Sequence, residues 1–179
     1  GKSMSQSSLA IQSTSGLVRA SQSASKPPKA EKFVHSHLKF SLGLQMPAII
    51  STSHVQEAIT VPASRLTPMP NMPAAMLGLI NRRSRVLWVT DLALLLGLPV
   101  AHTHTQQYKL VLLQVHRVLL GLRVEEIEGI VSAPPENIQS PPAHIPKNLL
   151  PFLKGCILQG NEVLLTLNAE AILQAPALK

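Results

Sequence analysis

The feature that most constrains this chain is an internal repeat. Gly78 and Gly155, Ile80 and Ile157, Val86 and Val163, Leu87 and Leu164, Asp91 and Asn168, and Leu96 and Leu173 share one offset (155 − 78 = 77). An offset that carries a glycine, apolar positions and a polar capping residue together predicts two related subdomains, each closing with a turn, a strand and a short helix. At 179 residues and 45% hydrophobic content, the chain can bury a core as one domain or as two small subdomains packed together.

The first copy lies in the stretch 66–96. Pro68, Pro70 and Pro73 each fix a backbone torsion, so a helix can start only after Pro73, and Ala74–Ile80 fits about two turns. A polar break at Asn81–Arg85 leads into Val86–Thr90, whose β-branched and aromatic residues predict a buried strand. Asp91 is placed to accept hydrogen bonds from the amides of a following turn, Leu92–Leu96 continues as helix, and Gly97 stops it.

Elsewhere, short strands are expected at 33–42, 47–51, 54–60, 108–115, 118–124 and 127–133. Residues 134–146 hold five prolines and read as loop. A helical turn at 147–153, a hairpin of 155–159 and 162–167 across Gly160-Asn161, and a capped helix at 168–174 complete the second copy. The expected fold class is mainly β with short helices, including a C-terminal one.

The net charge of +7 suggests nucleic acid until it is located. Residues 1–32 carry Lys2, Arg19, Lys26, Lys29 and Lys32 against Glu31, a net of +4, which leaves 11 basic and 8 acidic residues, +3, for the rest. Rich in Ser, Gln and Ala, residues 1–32 read as a flexible basic leader, followed by a domain over 33–174 and a tail over 175–179. The longest apolar run, Val86–Val100, is broken by Asp91, Gly97 and Pro99. With no apolar signal core at the N-terminus either, a cytoplasmic protein without membrane insertion is expected. The single cysteine, Cys156, excludes an intrachain disulfide.

No catalytic constellation emerges: there is no phosphate-binding glycine loop, nucleophile elbow or HExxH helix. His35-x-His37 and His102-x-His104 each offer two imidazoles, but metal binding needs further ligands, so both read as solvated strand or loop. Cys156 stands at the repeat position of Leu79 and reads as a small buried residue, not a nucleophile. Asp91 and Asn168 occupy equivalent positions, where capping suits both and proton transfer suits only one. No catalytic, cofactor or metal site is therefore expected. The rival reading is a small basic nucleic-acid-binding barrel. It is weakened by aromatic content of only 3%, because single-strand binders stack bases on aromatic rings. Arg82, Arg83 and Arg85 around a turn suit a protein interface as well as a phosphate.

Several of these residues, taken in order, resemble one family. Leu66-Thr67-Pro68-Met69-Pro70-Asn71-Met72-Pro73 is similar to I-T-x-x-P-x-x-P. Gly78-Leu79-Ile80-Asn81-Arg82-Arg83-Ser84 is similar to G-x-x-N-x-R-G, with an apolar strand ending in Asp91-Leu92. Val55-Gln56-Glu57, Gly121-Leu122-Arg123-Val124 and Leu153-Lys154-Gly155 extend the match to about residues 33–174. The pattern resembles the CheW-type coupling proteins of bacterial chemotaxis, with Ser84 in place of a usual glycine, Ala75 of a frequent aromatic and Trp88 of a frequent proline.

The resemblance implies two intertwined SH3-like five-stranded β-barrels and a non-enzymatic scaffold without cofactors. Such a scaffold joins the regulatory domain of a CheA-like histidine kinase to the tip of a methyl-accepting chemoreceptor-type protein, and is recruited to membrane receptor arrays. Protein-binding residues are then expected at Val55, Glu57, Asn81, Arg83 and Arg85. Apolar grooves at the seam between the barrels would take partner side chains, while Glu57 and Arg83 would orient them at the rim.

Overall fold

Alternating side chains and tight turns build ten strands in the computed structural model, which describes residues 35–99 and 105–178. They are β1 (Ser36–Leu42), β2 (Met46–Ser51), β3 (Val55–Pro62), β4 (Met76–Arg82), β5 (Arg85–Asp91), β6 (Gln107–Val115), β7 (Val118–Val124), β8 (Glu126–Ser132), β9 (Leu153–Gln159) and β10 (Glu162–Leu167). Two short helices, α1 (Leu92–Leu95) and α2 (Ala169–Leu173), follow β5 and β10. The strands form two five-stranded sheets of the SH3-like barrel type, ordered β8-β1-β2-β10-β9 and β3-β6-β7-β5-β4.

The second sheet uses one continuous stretch and is the central barrel; the first takes strands from both ends of the chain and is the terminal barrel. The 77-residue offset relates β4 to β9, β5 to β10 and α1 to α2. The parallel pairs continue the equivalence, since β5 pairs with β7 at Trp88–Leu120 and β10 with β2 at Leu165–Ala48. Thus β1 and β2 stand where β6 and β7 stand, but at the other end of the chain order. The two units are circular permutants, and the chain passes between them twice. This corrects the expectation that each unit closes on its helix: the central barrel continues past α1 into β6 and β7.

A second correction concerns Ala74–Ile80, expected as helix. Residues 76–82 form β4, antiparallel to β5, with the register shifting between Met76 and Gly78. The same shift occurs in the second copy, between Leu153 and Gly155 against β10. Gly78 and Gly155 share φ +148, and a Cβ on either would run into backbone, at Thr67 and Gln139 respectively. Those neighbours bridge to the residues following each glycine, Leu79 and Cys156. Pairing and the glycine bulge decide this segment, because a four- to seven-residue apolar run has no helical commitment of its own.

The β4–β5 turn is Arg83-Ser84, with φ of 53 and 65. Positive φ at both positions is the type I′ geometry that suits the twist of a two-residue hairpin. Ser84 therefore keeps the left-handed conformation that a glycine would adopt without strain.

Three apolar cores result. One fills the central barrel, with Val61, Ile80, Leu87, Val89, Leu110 and Leu112. A smaller one fills the terminal barrel, with Ile49, Ala133, Ile157 and Leu164. The largest lies at the seam, where Leu38, Phe40 and Ile50 meet Val111, Leu113 and Leu122 around Leu92, Leu96 and Ile172. Strands β6 and β10 feed a barrel core with one face and the seam with the other, which explains the apolar runs Leu110–Leu113 and Val163–Leu165. The interior of the seam is therefore filled by the chain itself. Ala175 is buried, and Ala177 and Leu178 pack on the seam, so the expected tail is held through Leu178.

Both helices are capped as the repeat requires. Asp91 Oδ1 accepts from the Leu94 amide at 3.0 Å and Asn168 Oδ1 from the Ala171 amide at 3.1 Å. Asp91 also accepts from Arg123 Nη1 at 3.1 Å, and that guanidinium lies over the Tyr108 ring.

Candidate protein-interaction surface

The central barrel is closed at one mouth by charge. Its edge strands are β3 and β4, and alternation puts Arg82 on the same face as Ile80. From there Arg82 donates to both carboxylate oxygens of Glu57, Nε to Oε1 at 2.9 Å and Nη2 to Oε2 at 3.0 Å. This fork is the geometry in which guanidinium and carboxylate bind most specifically. Arg83 Nη2 reaches the same Oε2 at 3.0 Å while its side chain stays 74% exposed, against 21% for Glu57. One guanidinium thus holds the edges together, and a second is pinned by one hand with its other donors facing solvent.

Asn81 and Arg85 are exposed on the same hairpin, Asn81 paired with Val86. Val86 is 66% exposed, and continuing the parallel β5–β7 register by two residues brings it beside Val118, 52% exposed. Arg117, next to Val118 in the β6–β7 turn, is also exposed. This end of the barrel therefore presents two exposed valines, each following an exposed arginine in sequence, Arg85 before Val86 and Arg117 before Val118.

Of the expected site residues, Glu57 and Arg83 are joined directly, and Asn81 and Arg85 share their hairpin. Val55, at the start of β3, is half-buried and packs on the seam core, apart from that rim. Arg82, Val86 and Val118 were not among the expected site residues. Reading residues 76–82 as a strand reveals Arg82, since period two then aligns it with Ile80. Val86 looks internal in an apolar run, and its exposure depends on lying at the mouth.

The remaining candidates fall outside this surface. His37, expected as solvated, is buried, with its Nδ1 2.8 Å from the His35 carbonyl oxygen. Burial lowers its pKa below 6.5 against the raising effect of that hydrogen bond, and Lys154 and His35 lower it further. His102 and His104 lie outside the described residues. Cys156 is buried, and burial pushes its thiol pKa up. Among the described residues, no group of three or more His, Cys, Asp or Glu is placed to hold a metal, and no helix is long and apolar enough to cross a membrane. Phe40 and Phe152 are buried, Trp88 packs on the seam and Tyr108 is covered by Arg123, so these rings offer no shared stacking platform.

Comparison with known proteins agrees with this architecture. Residues 36–177 match the CheW-like domain family. The chain is 33% identical over 106 residues to a probable chemotaxis protein CheW of Rhizobium etli, covering 59% of this chain and 68% of that protein. It is 36% identical over 76 residues to the chemotaxis protein CheW of Rhizobium meliloti, covering 42% and 48%. In fold it is similar to the scaffolding protein TtCheW of Thermoanaerobacter tengcongensis, with a TM-score of 0.67 at 17% identity over 80% of this chain and 94% of that one.

Proposed function

This chain belongs to the CheW-like domain family, and from that premise we propose that it is a non-enzymatic coupling protein of a chemotaxis-type signalling pathway. It joins the regulatory domain of a CheA-like histidine kinase to the tip of a chemoreceptor-type protein on the cytoplasmic side of a receptor array. The observation that carries this reading is the Glu57–Arg82–Arg83 cluster, because it pins a largely exposed guanidinium on the hairpin that also carries exposed Val86. A pre-positioned charge and an apolar side chain carried by one hairpin lose little freedom on docking and suit a protein partner. Val55, Glu57, Asn81, Arg83 and Arg85 are the residues we assign to partner binding, Glu57 through its hold on Arg83.

Titration of the full chain against a CheA-type regulatory domain tests the proposal, with a defined complex as the expected result. Arg83→Glu should weaken that complex by at least about tenfold, ~1.4 kcal/mol. No complex at high micromolar concentration would overturn the reading.

A further inference from the structure

We propose that the basic leader, residues 1–34, docks back onto the terminal barrel, in the open gap between β8 and β9. The proposal is independent of the partners assigned above, and it starts from what that gap lacks. Lys39 pairs with Gly129 and Leu112 pairs with Glu57 in equivalent registers, so Gly129 stands where Glu57 stands. The 77-residue offset places Gln159 where Arg82 stands. The fork that ties the edges of the central barrel thus has no counterpart, and β8 and β9 flank a cavity of about 410 Å3 lined by Ser132, Glu136, Asn137 and Gln139 together with Ile157, Leu158 and Gln159 of β9. The β9 edge is bridged by Gln139 at Cys156 and, among the described residues, carries no further pairing at Leu158 and Gln159 beyond that to β10. A free strand edge beside amide and carboxylate side chains suits an extended polypeptide, which brings its own backbone donors and acceptors.

Charge identifies the occupant. The central barrel, residues 55–124, has seven Lys and Arg against Glu57 and Asp91, a net of +5. The terminal barrel, 35–54 with 125–178, has Lys39, Lys147 and Lys154 against six glutamates, a net of −3. The leader, at +4, is attracted by one barrel and repelled by the other. Its point of attachment agrees: Ser36 pairs with Ser132 in the gap wall, and the His35 carbonyl accepts from the Ala133 amide at 2.9 Å. Lys32, Lys29 and Lys26 stand four, seven and ten residues before Ser36, so at ~3.3 Å per extended residue all can reach Glu136. Pro27 and Pro28 favour an extended backbone, which lowers the cost of lying along a strand edge. Attachment also makes the docking intramolecular, at an effective concentration near millimolar.

The experiment uses the full chain carrying a spin label at Ser25→Cys; the buried Cys156 thiol stays unlabelled. Amide signals of Ser132, Asn137, Gln139 and Leu158 are expected to lose about half their intensity or more at low salt and to recover near 1 M salt, where screening shortens to ~3 Å. Glu136→Lys should restore most of the intensity at low salt. Broadening that is absent, is centred on Arg85 and Val118, spreads evenly over both barrels, or survives both salt and Glu136→Lys would overturn the proposal.

Discussion

The two barrels share a backbone plan and differ in what they place inside it. Where the central barrel has Leu110, Leu112 and Val89, the equivalent positions of the terminal barrel are His37, Lys39 and Thr166, as the paired registers and the 77-residue offset require. The central interior is hydrocarbon and its edges are tied by Glu57 and Arg82. In the terminal barrel the ion pairs run from Lys39 to Glu162 at 2.7 Å and to Glu128 at 3.5 Å, binding β1 to β10 and β8 while leaving β9 out. Thr166 Oγ1 is buried without a partner. A duplicated backbone can therefore hold two kinds of mouth, one sealed and presenting charge, one open and lined with polar groups.

The largest expected effect tests what the barrels share. Gly78→Ala and Gly155→Ala should each cost at least ~3 kcal/mol by urea denaturation, because both add a Cβ against backbone at positive φ. A large cost at one glycine and none at the other would break the equivalence. Next, Arg82→Ala should cost ~1–2 kcal/mol, and Arg83→Ala less than ~0.5 kcal/mol, since an exposed pair is screened by solvent. Equal costs would mean that the fork does not seal the central mouth. Thr166→Val, which copies Val89, should stabilise the terminal barrel by ~1 kcal/mol, because it removes an unsatisfied hydroxyl at nearly constant shape.

The smallest effect is the pH response of His37. Its folded pKa is lowered, so its contribution is fully present above 6.5 and is lost as pH falls through the folded value. Urea midpoints compared at about pH 8 and about pH 5.5 should show a smaller acid loss in His37→Leu, the residue type of the central barrel. An unchanged acid loss would show that the imidazole is not charged against burial.

Much of the fold was legible because its signals are local. The run Leu110-Val111-Leu112-Leu113, the caps at Asp91 and Asn168 and the turn at Gly160-Asn161 each mark an element within a few residues. The repeat also held the means to correct the Ala74–Ile80 helix, since residues 155–159 already read as strand. His37 looked solvated because strand alternation does not say whether its polar face meets water or the inside of a barrel.

The sequence alone determined that there are two β units, where most strands lie, how both helices are capped and which family motifs are present. These depend on period-two patterning, turn chemistry and a fixed offset, all of which act along the chain. Only the tertiary structure decided that the units are permuted, that the seam is full, that Arg82 and not Arg85 grips Glu57, and that one barrel is sealed while the other is open. Those outcomes depend on which strand edges meet across long separations, and no local preference encodes that meeting.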